Sequence, residues 1–362
     1  MKLVEVRNKQ EQKKFLEFRK KIYKANPIYV DNNFVMIKEV FAKKTCFLEE
    51  KTVQAVYVEE DGNVLCQCMI VYAKKLPEYI QLCFFESEPN CEKAVELLVE
   101  EAIRLGKAYG CRALVIGLNG HVNYGLGFLD SHFEQKNSFS SSVNPPYYNA
   151  YFKKIGCEEI FLNTYQIHFI DKQLEKYMGM IQKMDKTYTF RQFDKKQFDY
   201  YAKIYTDLNN QCFGEHRYYY SRTYAEDKEM LKELFLFMHE DSLIFAFKDD
   251  KPIGFIMWYP DFNELVKQGE SFGVKHFFRK LLQGKSYDTA KVMEFGVLEQ
   301  YRRLGIPLAL LYQVSVKLRK YGITKGETSW ILAENTDSNR VCQAVCDEFY
   351  KRYVVYEKPI DE

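Results

Sequence analysis

The chain reads Lys291-Val-Met-Glu-Phe-Gly-Val297 and continues without a break as Leu298-Glu-Gln-Tyr-Arg-Arg-Leu-Gly-Ile-Pro-Leu-Ala-Leu-Leu311. The first part is short and mostly apolar, which is typical of a buried strand. The second part passes through Gly305 and becomes the apolar start of a helix. A glycine between a strand and a helix lets backbone N–H groups approach a phosphate, and the helix dipole adds positive charge there. The stretch therefore predicts an anion-binding loop.

Three further residues refine that prediction. Arg302 and Arg303 precede the glycine and would add charge-assisted donors to a bound anion. Pro307 follows it and suits the first turn of a helix, where a missing N–H has no helical partner. The proline also removes one donor that a phosphate would otherwise use. An arginine and glycine loop without a ligand is the alternative that the residues leave open.

The second half of the chain repeats the order of elements of the first half, so we infer a duplication. Each half opens with an amphipathic helix, predicted at 8–24 and at 194–208. A strand, a tight turn and a second strand follow, at 55–72 and at 243–259. Each half then carries a helix and a strand that ends in asparagine, and a last helix and strand close it: Ala94–Asn119 with Tyr147–Phe169, and Leu308–Asn335 with Asn339–Lys358. The 362 residues exceed one ordinary domain. We therefore predict domains at 1–170 and 187–362, joined by a linker at 171–186.

The strand, loop and helix around Gly305 resemble the acyl-CoA loop of the GNAT superfamily of N-acyltransferases. That loop reads [Arg/Gln]-x-x-Gly-x-[Gly/Ala]; Arg302 matches its first position and Gly305 its fourth, whereas Pro307 departs from the sixth. Glu327–Thr336, Tyr353–Lys358 and Asn144–Tyr148 look like segments of a bacterial group of two-domain N-acetyltransferases. The resemblance spans nearly the whole chain. It implies an α+β fold of two tandem GNAT-like domains, each a mixed, mostly antiparallel sheet flanked by helices.

The resemblance also implies a set of site residues. Asn335 matches an asparagine that commonly reaches the pantetheine arm, although asparagine also favours helix N-termini. The co-substrate would be acetyl-CoA or another acyl-CoA, and no metal is expected. The residues expected to bind it are Phe295, Val297, Arg302, Arg303, Gly305, Ile306 and Asn335.

The catalytic groups are less well marked in the sequence. Glu294 is the only carboxylate on the strand before the loop, and we expect it to be the general base. Strand alternation places it on the face opposite Met293 and Phe295 unless a bulge intervenes. A proton-donating tyrosine commonly lies seven residues after the asparagine, and Cys342 stands there instead. A tyrosine from elsewhere would have to replace it.

The first half lacks such a loop. Its corresponding strand runs into Glu86-Ser-Glu-Pro, and two carboxylates there would repel a pyrophosphate. We expect this half to bind no CoA. We expect its Ser- and Asn-rich loop at 119–146 to contribute to the acceptor site.

Composition limits the partners. Lys and Arg total 52 against 50 Asp and Glu, with both signs interleaved, so nucleic acid is not an expected partner. The sequence contains no apolar run of spanning length, so we expect no membrane partner and a cytoplasmic location. The ten cysteines form no C-x-x-C pair and are expected to be reduced thiols.

The function predicted from these patterns is transfer of an acetyl or other acyl group from acyl-CoA to a small-molecule or peptide amine. Two alternatives remain open at this stage. One is a catalytically silent module that binds acyl-CoA as a sensor, which Pro307 and Cys342 would suit. The other is an aminoacyl or peptidyl transferase built on a similar tandem fold, against which the balanced charge counts.

Overall fold

The chain divides into two compact units in the computed structural model, which describes residues 1–168, 170–267, 270, 273, 275–276, 278–279 and 287–361. The first unit holds Met1–Leu162, Val266–Phe272 and Lys351–Glu362. The second unit holds Asn163–Leu265 and Gly273–Tyr350.

The first unit contains both strands and helices. Its elements are β1 (Lys2–Glu5), α1 (Lys9–Tyr23), α2 (Phe34–Ala42), β2 (Lys51–Glu60), β3 (Asn63–Ala73), β4 (Tyr79–Ser87), α3 (Glu92–Tyr109), β5 (Ala113–Ile116), β6 (Phe128–Leu129), α4 (Tyr147–Lys154) and β7 (Glu158–His168), whose second part belongs to the second unit. The first helix begins at a capping box: Asn8 Oδ1 accepts a hydrogen bond from the Glu11 N–H, and the Glu11 carboxylate accepts one from the Asn8 N–H.

The first unit is a three-layer α+β arrangement. Its sheet has the order β1-β2-β3-β4-β5, and the last strand of the chain, β14 (Glu348–Pro359), pairs with β5. Neighbours are antiparallel except β4 and β5, which run parallel from the pair Tyr79 and Ala113. Phe15 of α1 and Ile37 of α2 pack against one face of the sheet. The other face packs α3 and α4.

The second unit repeats this order. Its elements are α5 (Ile170–Leu174), α6 (Met178–Thr187), β8 (Thr189–Gln192), α7 (Phe198–Phe213), α8 (Tyr224–Leu234), β9 (Leu243–Lys248), β10 (Lys251–Pro260), β11 (Thr289–Val297), α9 (Ile306–Lys320), β12 (Lys325–Thr328), β13 (Ile331–Leu332) and α10 (Thr336–Val345). The sheet order is β8-β9-β10-β11-β12-β7. In this sheet, too, one pair of neighbouring strands is parallel among the described residues, namely β11 with β12, whose pairing starts at Thr289 and Lys325. The other neighbours are antiparallel.

The closing strands differ from our prediction. We expected each half to be closed by its own last strand, but residues 351–362 belong to the first unit and residues 163–168 to the second. The strand β14 pairs with β5, and β12 pairs with β7. Periodicity shows that a strand exists, whereas its partner depends on contacts between distant parts of the chain. The proposed linker at 171–186 contains α5 and most of α6, and α6 packs on α9.

The other predicted elements lie close to the observed ones. The α+β class with mixed, mostly antiparallel sheets is confirmed. The strand predicted to reach Asn335 is wrong in its extent, since β12 ends at Thr328 and a turn precedes α10. The closing helix predicted to start at Asn339 begins earlier, at Thr336, and ends at Val345.

Candidate functional site

A gap opens between β11 and β12 in the second unit. The parallel ladder between the two strands ends at the pair Val292 and Thr328, and the Ser329 N–H donates to Val292 O at 2.7 Å. In the described part of the chain, no backbone hydrogen bond joins residues 293–297 to β12 or to the segment after it. The second half of β11 therefore has one unpaired edge.

The direction of the backbone groups along this edge follows from the pairing of β11 with β10. The Leu298 N–H donates to Ile253 O at 2.9 Å, so that pair is of the hydrogen-bonded type. Antiparallel pairs alternate in type, so the N–H groups of Val297 and Phe295 point away from β10 and toward the gap. Neither N–H has an acceptor among the residues that the structure describes. Two of the predicted binding residues thus present free backbone donors.

The loop after β11 leads to a helix N-terminus beside the same strand. Residues Glu299–Leu304 form 3₁₀ turns, and Gly305 has φ +86°, a conformation that glycine adopts without strain. A Cβ at Gly305 would lie 2.8 Å from the sulfur of Met180 on α6. Within the described ranges, no acceptor faces the N–H groups of Gly305 and Ile306. Together with the dipole of the 15-residue helix α9, they form a site suited to an anion.

The two arginines of the loop have different surroundings. Arg302 folds back: its Nε donates to Val297 O at 3.1 Å and its Nη2 to Cys212 O at 3.2 Å. Arg303 is exposed and makes no hydrogen bond or ion pair with the described residues. Arg302 therefore holds the loop, while Arg303 carries the more available charge. Pro307 is buried in the first turn of α9, as predicted for a proline at that point.

The Glu294 carboxylate is held by α7. Its Oε2 accepts from Tyr205 Oη at 2.7 Å and from Asn209 Nδ2 at 2.9 Å. A bulge in the ladder between Met257 and Trp258 leaves Met293 without a partner on β10, and this sets the face on which Glu294 lies. The sequence assigned no site role to Tyr205 or Asn209, which lie one helical turn apart on α7. The helix predicted at 194–208 ended one residue before Asn209.

Burial dominates the electrostatics of this carboxylate. It raises the pKa of Glu294 above its usual value, and the hydrogen bond from Tyr205 opposes that effect. The fully buried pair of Arg222 and Asp227, 3.1 Å between Nε and Oδ1, acts in both directions: the arginine lowers the pKa of Glu294 and the aspartate raises it. A carboxyl group with a raised pKa is a stronger base when it is ionised.

Asn335 is the N-cap of α10 in the structure. Its Oδ1 accepts from the Ser338 N–H at 3.1 Å, which is the structural role that we had kept as the alternative. Cys342 lies buried on the same helix. The hydroxyl of Tyr165, on β7, donates to Asn339 Oδ1 at 2.8 Å, one turn before Cys342. Tyr165 is thus a tyrosine near the predicted donor position that the sequence could not identify.

The first unit has the same gap, but its own side chains fill it. The ladder between β4 and β5 ends at Leu82 and Ile116. Beyond it, the Phe84 N–H donates to Asn119 Oδ1 at 2.9 Å. The Ser87 N–H donates to the hydroxyl of Tyr148 at 2.8 Å, and the N–H of Cys91, at the start of α3, donates to the hydroxyl of Tyr151 at 3.2 Å. The donors that are free in the second unit are satisfied internally here.

Two general features of the described residues bear on the site. No group of three or more His, Cys, Asp or Glu within them is placed to hold a metal ion. None of the helices that they form has both the length and the apolar character needed to cross a membrane.

Residues 201–346 match the acetyltransferase (GNAT) family. The chain is 23% identical over 373 residues to Protein YghO of Escherichia coli, covering 98% of this chain and 94% of that protein. It is 23% identical over 177 residues to a bacterial ceramide synthase of Caulobacter vibrioides, covering 47% of this chain and 46% of that protein.

Solved structures extend the likeness to the whole chain. A tandem GNAT protein from the clavulanic acid biosynthesis pathway superposes with a TM-score of 0.58 at 14% identity, covering 100% of this chain and 99% of that one. That likeness concerns the fold, and the family match covers the second unit's loop and Glu294. Residues 201–346 are thus similar to the acetyltransferase (GNAT) family, and the whole chain has the fold of a tandem GNAT protein.

Proposed function

We propose that the chain transfers an acyl group from acyl-CoA to an amine, and that the second unit alone binds the acyl-CoA. The observation that carries this proposal is the contrast between the two gaps. The N–H groups of Phe295 and Val297 are free, whereas those of Phe84 and Ser87 are occupied by side chains. Unsatisfied backbone donors are rare in folded proteins, so a row of them supports a ligand.

The free backbone N–H groups follow one another along the chain in the same order as the parts of acyl-CoA that they would bind. The N–H groups of Phe295 and Val297 at the strand edge would donate to the amide carbonyls of the pantetheine arm, which would lie along the edge in the way that an added strand does. The N–H groups of Gly305 and Ile306 and the Arg303 guanidinium would receive the pyrophosphate. Asn335 stays a proposed contact; its Oδ1 caps α10 and its Nδ2 is the group that a ligand would use.

Glu294 is the proposed general base. Acyl-CoA, when bound, supplies a thioester carbonyl that an amine can attack. The C–N bond forms as the C–S bond breaks, the amine loses a proton to Glu294, and the thiolate is protonated by water or a nearby hydroxyl. Tyr205 and Asn209 would orient the carboxylate.

The amine acceptor is a small molecule or a peptide in this proposal. The named activity of one relative, ceramide synthesis, joins an acyl group to an amine and is therefore the same class of reaction. That relative matches less than half of this chain, so the match supports the class of reaction and not a particular acceptor.

The test is binding of CoA to the full chain. We expect CoA to raise the melting temperature, because a ligand at about 100 times its Kd adds about 2.7 kcal/mol of stability. Arg303→Glu should weaken CoA binding by about 10- to 100-fold, since a charge-assisted hydrogen bond is lost and repulsion is added. Lys203→Glu is the matched control, an exposed residue on α7 with the same change in charge. Absence of a shift in the wild type, or an equal loss in both variants, would contradict the proposal.

A further inference from the structure

A polar pocket in the first unit carries the inference. It lies at the N-terminus of α2, where it meets the loops at 119–125 and 139–142, and has a cavity volume of about 130 Å³. One water needs about 10–15 Å³ of such volume, so the pocket has room for a molecule of roughly ten non-hydrogen atoms. No lining residue carries a charge; they are mainly asparagines and serines with a few apolar side chains.

Several polar groups of the pocket have no partner in the protein. Both side-chain polar atoms of Asn32 and the Nδ2 of Asn123 are buried from solvent and form no hydrogen bond. A buried amide left unpaired costs about 1–3 kcal/mol per group, so each such group in a native protein requires an explanation. Unpaired amides that line a pocket are explained by a ligand that satisfies them.

The helix start supplies more donors at the same place. Asn33 is the N-cap of the nine-residue helix α2 but makes no side-chain cap hydrogen bond. The first helical bond is Ile37 N–H to Asn33 O, and the N–H groups of Phe34, Val35 and Met36 find no acceptor among the described residues. Of these three residues, Met36 lines the pocket, together with the N-cap residue Asn33. Asn119 also lines it, and its Oδ1 accepts from the Phe84 N–H.

From these observations we infer that the pocket binds an uncharged ligand with several hydroxyl or amide groups, of the size of one sugar ring. Amides and hydroxyls both donate and accept, which matches the hydroxyl groups of a sugar. Tyr124 and Met36 add apolar surface for the ring carbons. A cationic ligand would require a carboxylate in the lining, and the lining contains none. An anionic ligand would find no lysine or arginine there and only the partial positive charge at the start of the short helix α2.

The inference concerns the first unit and does not depend on acyl-CoA binding by the second. The experiment is therefore binding to the full chain in the absence of CoA, measured by ligand-observed NMR and calorimetry. The probes are D-glucose, N-acetyl-D-glucosamine and myo-inositol as neutral compounds, with D-glucosamine as the cationic analogue and D-glucuronate as the anionic one. We expect at least one neutral probe to bind with a Kd of about 10 mM or below, and its charged analogues to bind at least about tenfold more weakly.

Two variants locate the site. Asn123→Leu and Asn32→Leu should each weaken binding of the neutral probe by about tenfold or more. Because each removes buried side-chain atoms that have no partner in the protein, namely both polar atoms of Asn32 or the Nδ2 of Asn123, the melting temperature should stay unchanged or rise, which a structural role would not allow. Asn63→Leu, at an exposed position at the start of β3, is the control and should bind like the wild type. The inference is overturned if no neutral probe binds, if a charged analogue binds more tightly, or if the Asn32 and Asn123 variants bind unchanged.

Discussion

Asn119 accepts a hydrogen bond from the Phe84 N–H at 2.9 Å, across the gap where β4 and β5 separate. Phe84 has φ +50°, which is uncommon for a bulky residue, so the strand departs from regular geometry at this point. The corresponding gap beside β11 contains no such bond among the described residues. The gap beside the parallel strand pair therefore differs between the two units: in the first unit a side chain closes it, and in the second the strand edge stays open.

Asn119→Ala should destabilise the protein and leave CoA binding intact. The variant leaves the buried Phe84 N–H without an acceptor, which costs about 1–3 kcal/mol of unfolding free energy. Urea unfolding measures that cost, and the CoA-induced shift in melting temperature measures binding. Asn119→Asp retains the acceptor oxygen and should be less destabilised. If the alanine variant lost the CoA shift, then the assignment of CoA to the second unit alone would be wrong.

The sequence predicted the helices, the strands and the Gly305 loop better than it predicted which strands pair and which side chains form hydrogen bonds. The places of Gly305 and Pro307 between the strand and the helix could be predicted, because a glycine with positive φ and a proline in the first helical turn depend only on residues close by in the sequence. Tyr205 and Asn209 were missed because their partner, Glu294, is distant in sequence and meets them only after folding. The exchange of closing strands was missed for the same reason. A side chain that satisfies a backbone group, such as Asn119, is equally invisible to periodicity.

Glu294→Gln should lower kcat/KM for acyl transfer by about 10²–10⁴, the usual contribution of a general base. In the wild type, kcat/KM should rise with pH as Glu294 loses its proton, with a midpoint above the usual glutamate value because burial raises its pKa. The glutamine variant should lack that limb of the pH profile. Glu299→Gln, in the exposed loop after β11, is the matched control. Retention of both rate and pH profile by the Glu294 variant would exclude it as the base.

Cys342→Ala should retain most of the activity. The thiol is buried on α10, and a thiol is a poor replacement for a phenol as a proton donor to a leaving thiolate. Tyr165→Phe should lower kcat more than Cys342→Ala does, because the Tyr165 hydroxyl lies one turn away at Asn339. Release of free thiol from acetyl-CoA across a panel of amines measures both. A loss of about a thousandfold in the alanine variant, near the middle of the range for acid–base catalysis, would make Cys342 catalytic.

The last prediction concerns Glu86, which is buried with Arg19 in the first unit. The carboxylate is paired with the Arg19 guanidinium and accepts from the hydroxyl of Tyr148 at 2.8 Å, and Asp31 also pairs with that arginine. Burial is the largest effect and raises the pKa of Glu86 from 4.5 to about 7, although Arg19 and Tyr148 oppose it. The folded state therefore binds this proton more tightly than the unfolded state does.

The sign of the pH dependence follows from that difference. The stabilisation from the bound proton is complete below about pH 4.5 and is lost as the pH rises to about 7. Relative to Glu86→Gln, which cannot ionise, the wild type should lose up to about 1.4 kcal/mol of unfolding free energy per pH unit across that window, and little more above it. Urea unfolding of both proteins at several pH values gives the difference directly, and other titrating groups cancel. A difference that grows in favour of the wild type as the pH rises would mean that the ion pair with Arg19 outweighs burial, and that the pKa of Glu86 is lowered instead.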